Sequence, residues 1–289
     1  SDEEGRQWAF VAERDSVEKA LQKFYKLWYY ANGSDSARNI VNSNTQGVKK
    51  GFTVSENGSI NFSKDGKKLF FGVAPIQPPK DTTFVDFETA RLDVWHYNDD
   101  YIQPQQLKQL PSESKRSYLA VIIPGQNHIV QLGSEDAENV SLVNEGNADW
   151  VLAQSNKGNR IASNWEGRTK ATAYIIDTKT GSRKTVQKDL YTFYQASPGG
   201  KYVIWYQPEL KNYFAYNVAS GKINNISKNI SQPLYDIETD VPDLPRQMGT
   251  IGWTKDDKDL LINSFYDIWR TDPEGIKMPV NLTKMTSAK

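Results

Sequence analysis

Only two histidines occur in the 289 residues, His96 and His128, and there is no cysteine. Any hydrolytic triad would need one of these imidazoles as its base, because the base must accept a nucleophile's proton near neutral pH. The serine of an α/β-hydrolase stands on a strained strand-to-helix elbow that small residues encode as G-x-S-x-G. No such pentapeptide is present. Both histidines fall in strand-like runs without a companion elbow serine, so both read as structural.

The absence of cysteine excludes thiol catalysis, disulfides and thiolate zinc sites, and without H-E-x-x-H two isolated histidines make no zinc site. The stretch Asp236-Ile-Glu-Thr-Asp240-Val-Pro-Asp243 offers carboxylates for a hard cation or a substrate amine. It lacks the spaced glycine and closing glutamate of a calcium loop and reads as a solvated acidic loop. Glu166 beside Trp165, and Asp99-Asp100 after His96, are further candidate carboxylates for a channel-facing site. Acids in strand-connecting turns are ordinarily turn formers, and that is their reading here. No phosphate-cradling glycine loop occurs. The expectation is a chain with no catalytic, cofactor-binding or metal-ligating residue. Asn-x-Ser/Thr sites at Asn32, Asn57, Asn61, Asn139, Asn225, Asn229 and Asn281 follow from abundant turn residues.

The elements that would position any site are legible as a repeat. Ile60-Asn-Phe-Ser-Lys-Asp-Gly-Lys-Lys-Leu-Phe-Phe, Tyr194-Gln-Ala-Ser-Pro-Gly-Gly-Lys-Tyr-Val-Ile-Trp and Ile251-Gly-Trp-Thr-Lys-Asp-Asp-Lys-Asp-Leu-Leu-Ile share one mould. A strand ends in Ser or Thr, a tight turn passes through Asp65-Gly66, Gly199-Gly200 or Asp256-Asp257, and an apolar strand follows: a β-hairpin. A second hairpin is expected after each, through Leu92 to Tyr97, Tyr213 to Lys222 and Tyr266 to Gly275. Ala173 to Ser182 and Phe24 to Ser34 fit the later half of the same unit. In Ser16 to Trp28 helical spacing competes with a loop entering a strand at Phe24 to Tyr30, and the aromatic second half favours the strand.

Four short strands recurring roughly every 40 to 60 residues are the footprint of a propeller blade, which must stack on neighbours to bury both faces. The predicted fold is all-β: a β-propeller of four-stranded antiparallel blades, about five to six blades or part-blades at that repeat length, in a closed or an incomplete ring. The region is taken as one propeller over residues 1–289. Ala74 to Glu88 and Gln103 to Arg116 read as irregular surface inserts, rich in Pro, Gln and charge. With 8 Trp, 15 Tyr and 11 Phe, rings must fill much of the core. Lys plus Arg balances Asp plus Glu at 35 each, without a basic run, so nucleic acid is not an expected partner. The apolar runs are too short to span a bilayer. Ser1 to Arg6 has no signal-peptide character and reads as a trimmed front.

The phrases Phe62-Ser-Lys-Asp-Gly-Lys-Lys-Leu-Phe-Phe-Gly, Tyr118-Leu-Ala-Val-Ile, Asn147-Ala-Asp-Trp, Leu244-Pro, Trp253-Thr-Lys-Asp-Asp-Lys and Tyr266-Asp-Ile-Trp-Arg-Thr-Asp-Pro-Glu-Gly, with Pro279-Val-Asn-Leu-Thr, form an ordered set. The set resembles the propeller region of prolyl oligopeptidase-family (S9) serine peptidases, especially those of Bacteroidetes-type bacteria. The resemblance implies a noncatalytic propeller that gates peptide substrates to a C-terminal α/β-hydrolase domain, absent from this chain, in a periplasmic or secreted protein. It implies no cofactor. The dipeptidyl-aminopeptidase branch holds the substrate amine with adjacent glutamates from a propeller insert. Here the only adjacent pair is Glu3-Glu4, and Glu166 is followed by Gly167, so no binding residue carries over. S-x-D-G-K is common to many propellers, including the TolB type. A stand-alone protein- or glycan-binding scaffold therefore remains open, as does a propeller enzyme acting in its own channel.

Overall fold

The recurring phrase is a physical device as well as a pattern. In each copy the Ser or Thr N–H donates to the carbonyl five residues on: Ser63 to Lys68 at 2.8 Å, Ser197 to Tyr202 at 2.8 Å and Thr254 to Asp259 at 2.9 Å. Its hydroxyl accepts the N–H of that same residue, at 2.9 Å, 3.0 Å and 2.9 Å respectively. The loop closes because the third residue after the Ser or Thr is left-handed: Gly66, Gly200 and Asp257 have φ of 69°, 76° and 54°. A fourth copy runs from Val143 to Ala148, with Gly146 at φ 83° and Ala148 donating to the Val143 carbonyl at 3.3 Å. Its letters hide it, since Val143 has no hydroxyl to mark the position.

The structure, a computed structural model, describes residues 1–17, 20–79, 81, 83 and 92–284. Strands β1 (Gln7–Ala12), β2 (Lys26–Ala31) and β3 (Arg38–Val41) form the first sheet. The second holds β4 (Phe52–Val54), β5 (Asn61–Phe62), β6 (Leu69–Pro75), β7 (Tyr118–Ile122) and β8 (Val130–Gln131). The third holds β9 (Asn139–Ser141), β10 (Trp150–Ser155), β11 (Ala171–Asp177) and β12 (Arg183–Leu190). The fourth is β13 (Gln195–Ala196), β14 (Tyr202–Gln207), β15 (Asn212–Asn217) and β16 (Ile223–Asn225). The fifth is β17 (Thr250–Trp253), β18 (Leu260–Asn263), β19 (Ile268–Thr271) and β20 (Val280–Asn281). Every pairing within these sheets is antiparallel.

Strand alternation turns these sheets into a stack. From β6, Leu69, Phe71 and Val73 pack with Leu27, Tyr29 and Val41 of the first sheet, whereas Phe70 between them packs with Val151, Ala153 and Ile176 of the third. In β10 and β14 the alternation repeats: Trp150, Leu152, Val203 and Trp205 share one apolar layer. Ile204 and Tyr206 turn the other way, onto Leu260 and Ile262 of the fifth sheet. Each fully buried aliphatic or aromatic side chain in such a layer contributes roughly 1.5–3 kcal/mol. Five sheets joined in chain order by four apolar layers are the blades of a β-propeller. Among the described residues no such layer joins the first blade to the fifth. The outward face of the first blade stays half-exposed, with Trp8 against Tyr30 (centroids 5.5 Å) and Phe10 stacked on Trp28 (6.4 Å).

Three local expectations are corrected. Among the described residues the first blade has three strands, and the opening strand of the second is broken into β4 and β5. The break lies where residues 55–60 cross β6 at a glycine pair: a Cβ on Gly72 would stand 2.6 Å from the Gly58 Cα. Gly72→Ala is therefore expected to cost about 2–4 kcal/mol through backbone overlap, measured by chemical denaturation. The Leu92 to Tyr97 run is not a strand and is exposed. β7 and β8 complete the second blade, because Tyr118 to Ile122 is apolar on both faces and can sit between two layers, whereas Asp93 and His96 interrupt the earlier run. Within the insert Gln103 to Arg116, residues Gln103–Glu113 form a helix, α1, with Pro104 in the first turn, where its missing N–H costs nothing. Of the insert Ala74 to Glu88, residues 80, 82 and 84–88 lie outside the described residues. β2 begins at Lys26, as the aromatic second half of Ser16 to Trp28 predicts, just after Tyr25, whose backbone bridges to Val54 of the second blade.

Candidate functional site

Antiparallel order sends the turns after the first and third strands of blades two to five to one end, with the β2–β3 turn of blade one, and the remaining connections to the other. The first end, the turn rim, is latched blade to blade. The Gln7 amide donates to the Gly66 carbonyl at 3.1 Å, joining blades one and two. Lys64 N–H donates to the Glu145 carbonyl and Asp65 N–H to Asn147 Oδ1, both at 3.0 Å, joining two and three. The Trp150 indole donates to the Gly200 carbonyl at 3.1 Å, joining three and four. Buried Asp257 of blade five accepts from Ser197 Oγ (2.6 Å), Gly199 N–H (2.9 Å) and Lys201 N–H (3.2 Å) of blade four. Lys68, also buried, donates to the carbonyls of Asn147 (3.0 Å) and Ala148 (2.6 Å) and to Asp149 Oδ1 (3.3 Å), which uses all three ammonium hydrogens. The Lys179 ammonium, with Lys68 behind it, holds the Asp149 carboxyl below its ordinary range.

At the opposite end, the loop rim, long connections interlock. Asp100 accepts the N–H of Gly158 (2.8 Å) and of Arg160 (3.0 Å), pinning the insert of blade two to the third blade. Arg160 pairs with Glu138, lies 3.4 Å from Asp100 and stacks 4.9 Å from the Tyr101 ring. Asp99 accepts from the Gln106 side chain at 3.0 Å. The helical turn α2 (Ser163–Glu166) meets α1 through Gln105 and Asn164 at 3.0 Å. Glu166 accepts the Tyr191 hydroxyl and holds that phenol above its ordinary value. Arg168 covers the same ring at 4.3 Å and pairs with Asp243 at 2.8 Å, drawing the connection between blades four and five into the rim.

Of the candidate carboxylates, Asp99, Asp100, Glu166 and Asp243 are thus tied into loop structure. Asp100, Glu166 and Asp243 each hold a neighbouring connection in place. His96 is exposed outside any strand, stacked on Tyr97 at 4.8 Å. His128 lies in the β7–β8 turn on the other rim, half-buried, its backbone bridged to Gln46. The two histidines therefore share no site. Among the described residues no group of three or more His, Asp or Glu is placed to hold a metal ion. What the loop rim offers outward is aromatic: Trp95, Tyr97, Trp165 and Phe193 are exposed, with Leu107 and Leu110 of α1 beside them in sequence to the insert.

Solved structures similar to this chain include peptidases and TolB proteins. Acylaminoacyl peptidase of Pyrococcus horikoshii is 13% identical with a TM-score of 0.37, the match covering 98% of this chain and 38% of that one. The β-propeller domain of the Trilobed protease from Pyrococcus furiosus, described as having an open velcro topology, is 10% identical with a TM-score of 0.37, covering 98% and 82%. TolB from Acinetobacter baumannii is 12% identical with a TM-score of 0.34, covering 97% and 52%. This chain thus spans about half the length of that TolB and less of the acylaminoacyl peptidase. No family model and no curated protein matches the sequence. Among the described residues no helix is long and apolar enough to cross a membrane.

Proposed function

We propose that this chain is the noncatalytic propeller of a prolyl oligopeptidase-like serine peptidase, admitting peptides to an α/β-hydrolase domain docked on the loop rim of an exported protein. The observation that carries the reading is that rim. Four connections from blades two to five are cross-braced there by Asp100, Glu166 and Asp243, and the braced surface leaves large aromatic side chains uncovered. Braced loops with exposed rings are what a domain interface uses, since little ordering entropy remains to be lost on docking. The ordered phrases of the sequence favour a peptidase as the parent.

Two measurements test it. The chain alone is expected to stay unlabelled by a serine-reactive fluorophosphonate, and stoichiometric labelling would overturn the reading. With an α/β-hydrolase domain of the same parent protein, the chain is expected to co-elute. Trp165→Ala and Phe193→Ala, at positions 70% and 81% exposed, should each weaken the complex about tenfold without lowering the melting temperature. A reading frame with no G-x-S-x-G and late histidine downstream would instead favour the stand-alone binding scaffold.

A further inference from the structure

The turn rim carries two adjoining cavities distinct from the loop rim, the smaller between blades two and three and the larger reaching Gln7 and Tyr29 of blade one. The smaller, of about 280 Å³, has Val121, Ile123 and Val130 as its apolar wall. Its polar wall is Gln126, His128, Thr178 and Lys179, and no carboxylate lines it. Thr178 is 4% exposed and its hydroxyl finds no partner in the protein. A buried hydroxyl left without a partner is unfavourable, which a bound acceptor would relieve. Lys179 spends one donor on Asp149 at 2.8 Å, and an ammonium has three. The Gln126 and His128 side chains make no hydrogen bond within the described residues that would withdraw them.

The larger cavity, about 600 Å³, shares Ile123 and Lys179 with the smaller and continues over Pro124 towards Lys67. Asp65 and Asp149 line it, so a second negative charge there would be repelled. The spare donors of Lys179 beyond its pair with Asp149, one buried hydroxyl and an aliphatic wall suit a monoanion with a branched stem; a phosphate dianion would call for a cation with no carboxylate partner.

We propose that the smaller cavity binds an aliphatic carboxylate, carried by a short acid or by the C-terminal residue of a peptide whose preceding residues lie in the larger cavity. Titration calorimetry on this chain tests it with N-acetyl-Ala-Ala-Val, the same peptide as its C-terminal amide, and isovalerate. The free-acid peptide is expected to bind at least about tenfold more tightly than the amide, the usual worth of a charge-assisted pair. Lys179→Gln should lose the same factor. Thr178→Val, nearly isosteric and checked for folding by circular dichroism, should lose about threefold or more. Isovalerate binding as tightly as the peptide assigns the site to short acids, whereas tighter peptide binding assigns it to C-termini. Equal binding of acid and amide, an unchanged Lys179→Gln, or no binding of any probe at millimolar concentration overturns the proposal. None of these results bears on hydrolase docking, which belongs to the opposite rim.

Discussion

Replacing Asp257 with Ala is expected to destabilise the fifth blade by about 3–5 kcal/mol, because one buried carboxylate terminates three donors of the preceding turn. At 3% exposure the site gives water little room to take its place. Position 257 is also left-handed, at φ 54°, where a residue with a Cβ is strained unless its side chain compensates. The two contributions separate by substitution. Asp257→Gly removes the hydrogen bonds and relieves the backbone, so it should be about 1 kcal/mol less damaging than Asp257→Ala. Urea unfolding monitored by far-ultraviolet circular dichroism measures both. Hydrogen exchange should show the added opening confined to β17–β20 and the turn at Ser197, as nearest-neighbour blades require. Equal stability of Asp257→Ala and the parent would show that the carboxylate is no latch.

Alkaline unfolding is the second large effect. Burial between the fourth and fifth blades pushes the Tyr206 phenol up to about 12 from an ordinary 10.0. Burial also raises Tyr194, Tyr202 and Tyr213, with the Glu274 carboxylate adding to the effect at Tyr202, whose hydroxyl donates to it at 2.6 Å. For an acid whose folded-state value is raised, the protonated form is the one the fold favours. The associated stability is fully present below the unfolded value of 10.0 and is lost as pH climbs from there towards the folded value. Tyr206 alone accounts for a loss of about 2 kcal/mol across that window. Tyrosinate absorbance should therefore rise together with loss of β-sheet circular dichroism, in one cooperative step between pH 10 and about 12. Tyr206→Phe keeps the ring and removes a buried hydroxyl that has no partner, so it should move that step to higher pH. Smooth titration near pH 10 with the sheet signal intact would mean that these rings are not enclosed as described.

The turn chemistry was the most legible part of the chain, because it is local. Ser63, Ser197 and Thr254 carry their hydroxyls to an N–H five residues ahead whatever surrounds them, so the letters alone mark a hairpin. The copy at Val143 was illegible for the same reason: the backbone closes there without the hydroxyl that marks the others. Leu92 to Tyr97 shows the opposite failure. Its ring-rich composition suits a strand, but a blade strand must be apolar on both faces, and Tyr118 to Ile122 meets that demand where Leu92 to Tyr97 does not.

At the candidate sites, composition supplied the residues without their meeting points. Asp100 and Arg160 are 60 positions apart in the chain and Arg168 and Asp243 still further, so no spacing rule could pair them. Only the stacking of blades, set by which side of β6 Phe70 and Phe71 face, brings those loops to one rim and puts Thr178 beside His128 on the other. The sequence by itself determined the antiparallel hairpins, their turns and the absence of an elbow serine, since these depend on neighbours within a few residues. Which faces meet, which carboxylates become braces and which hydroxyl is left without a partner were decided by packing between sheets, whose contacts join residues too distant in sequence to leave a local signature.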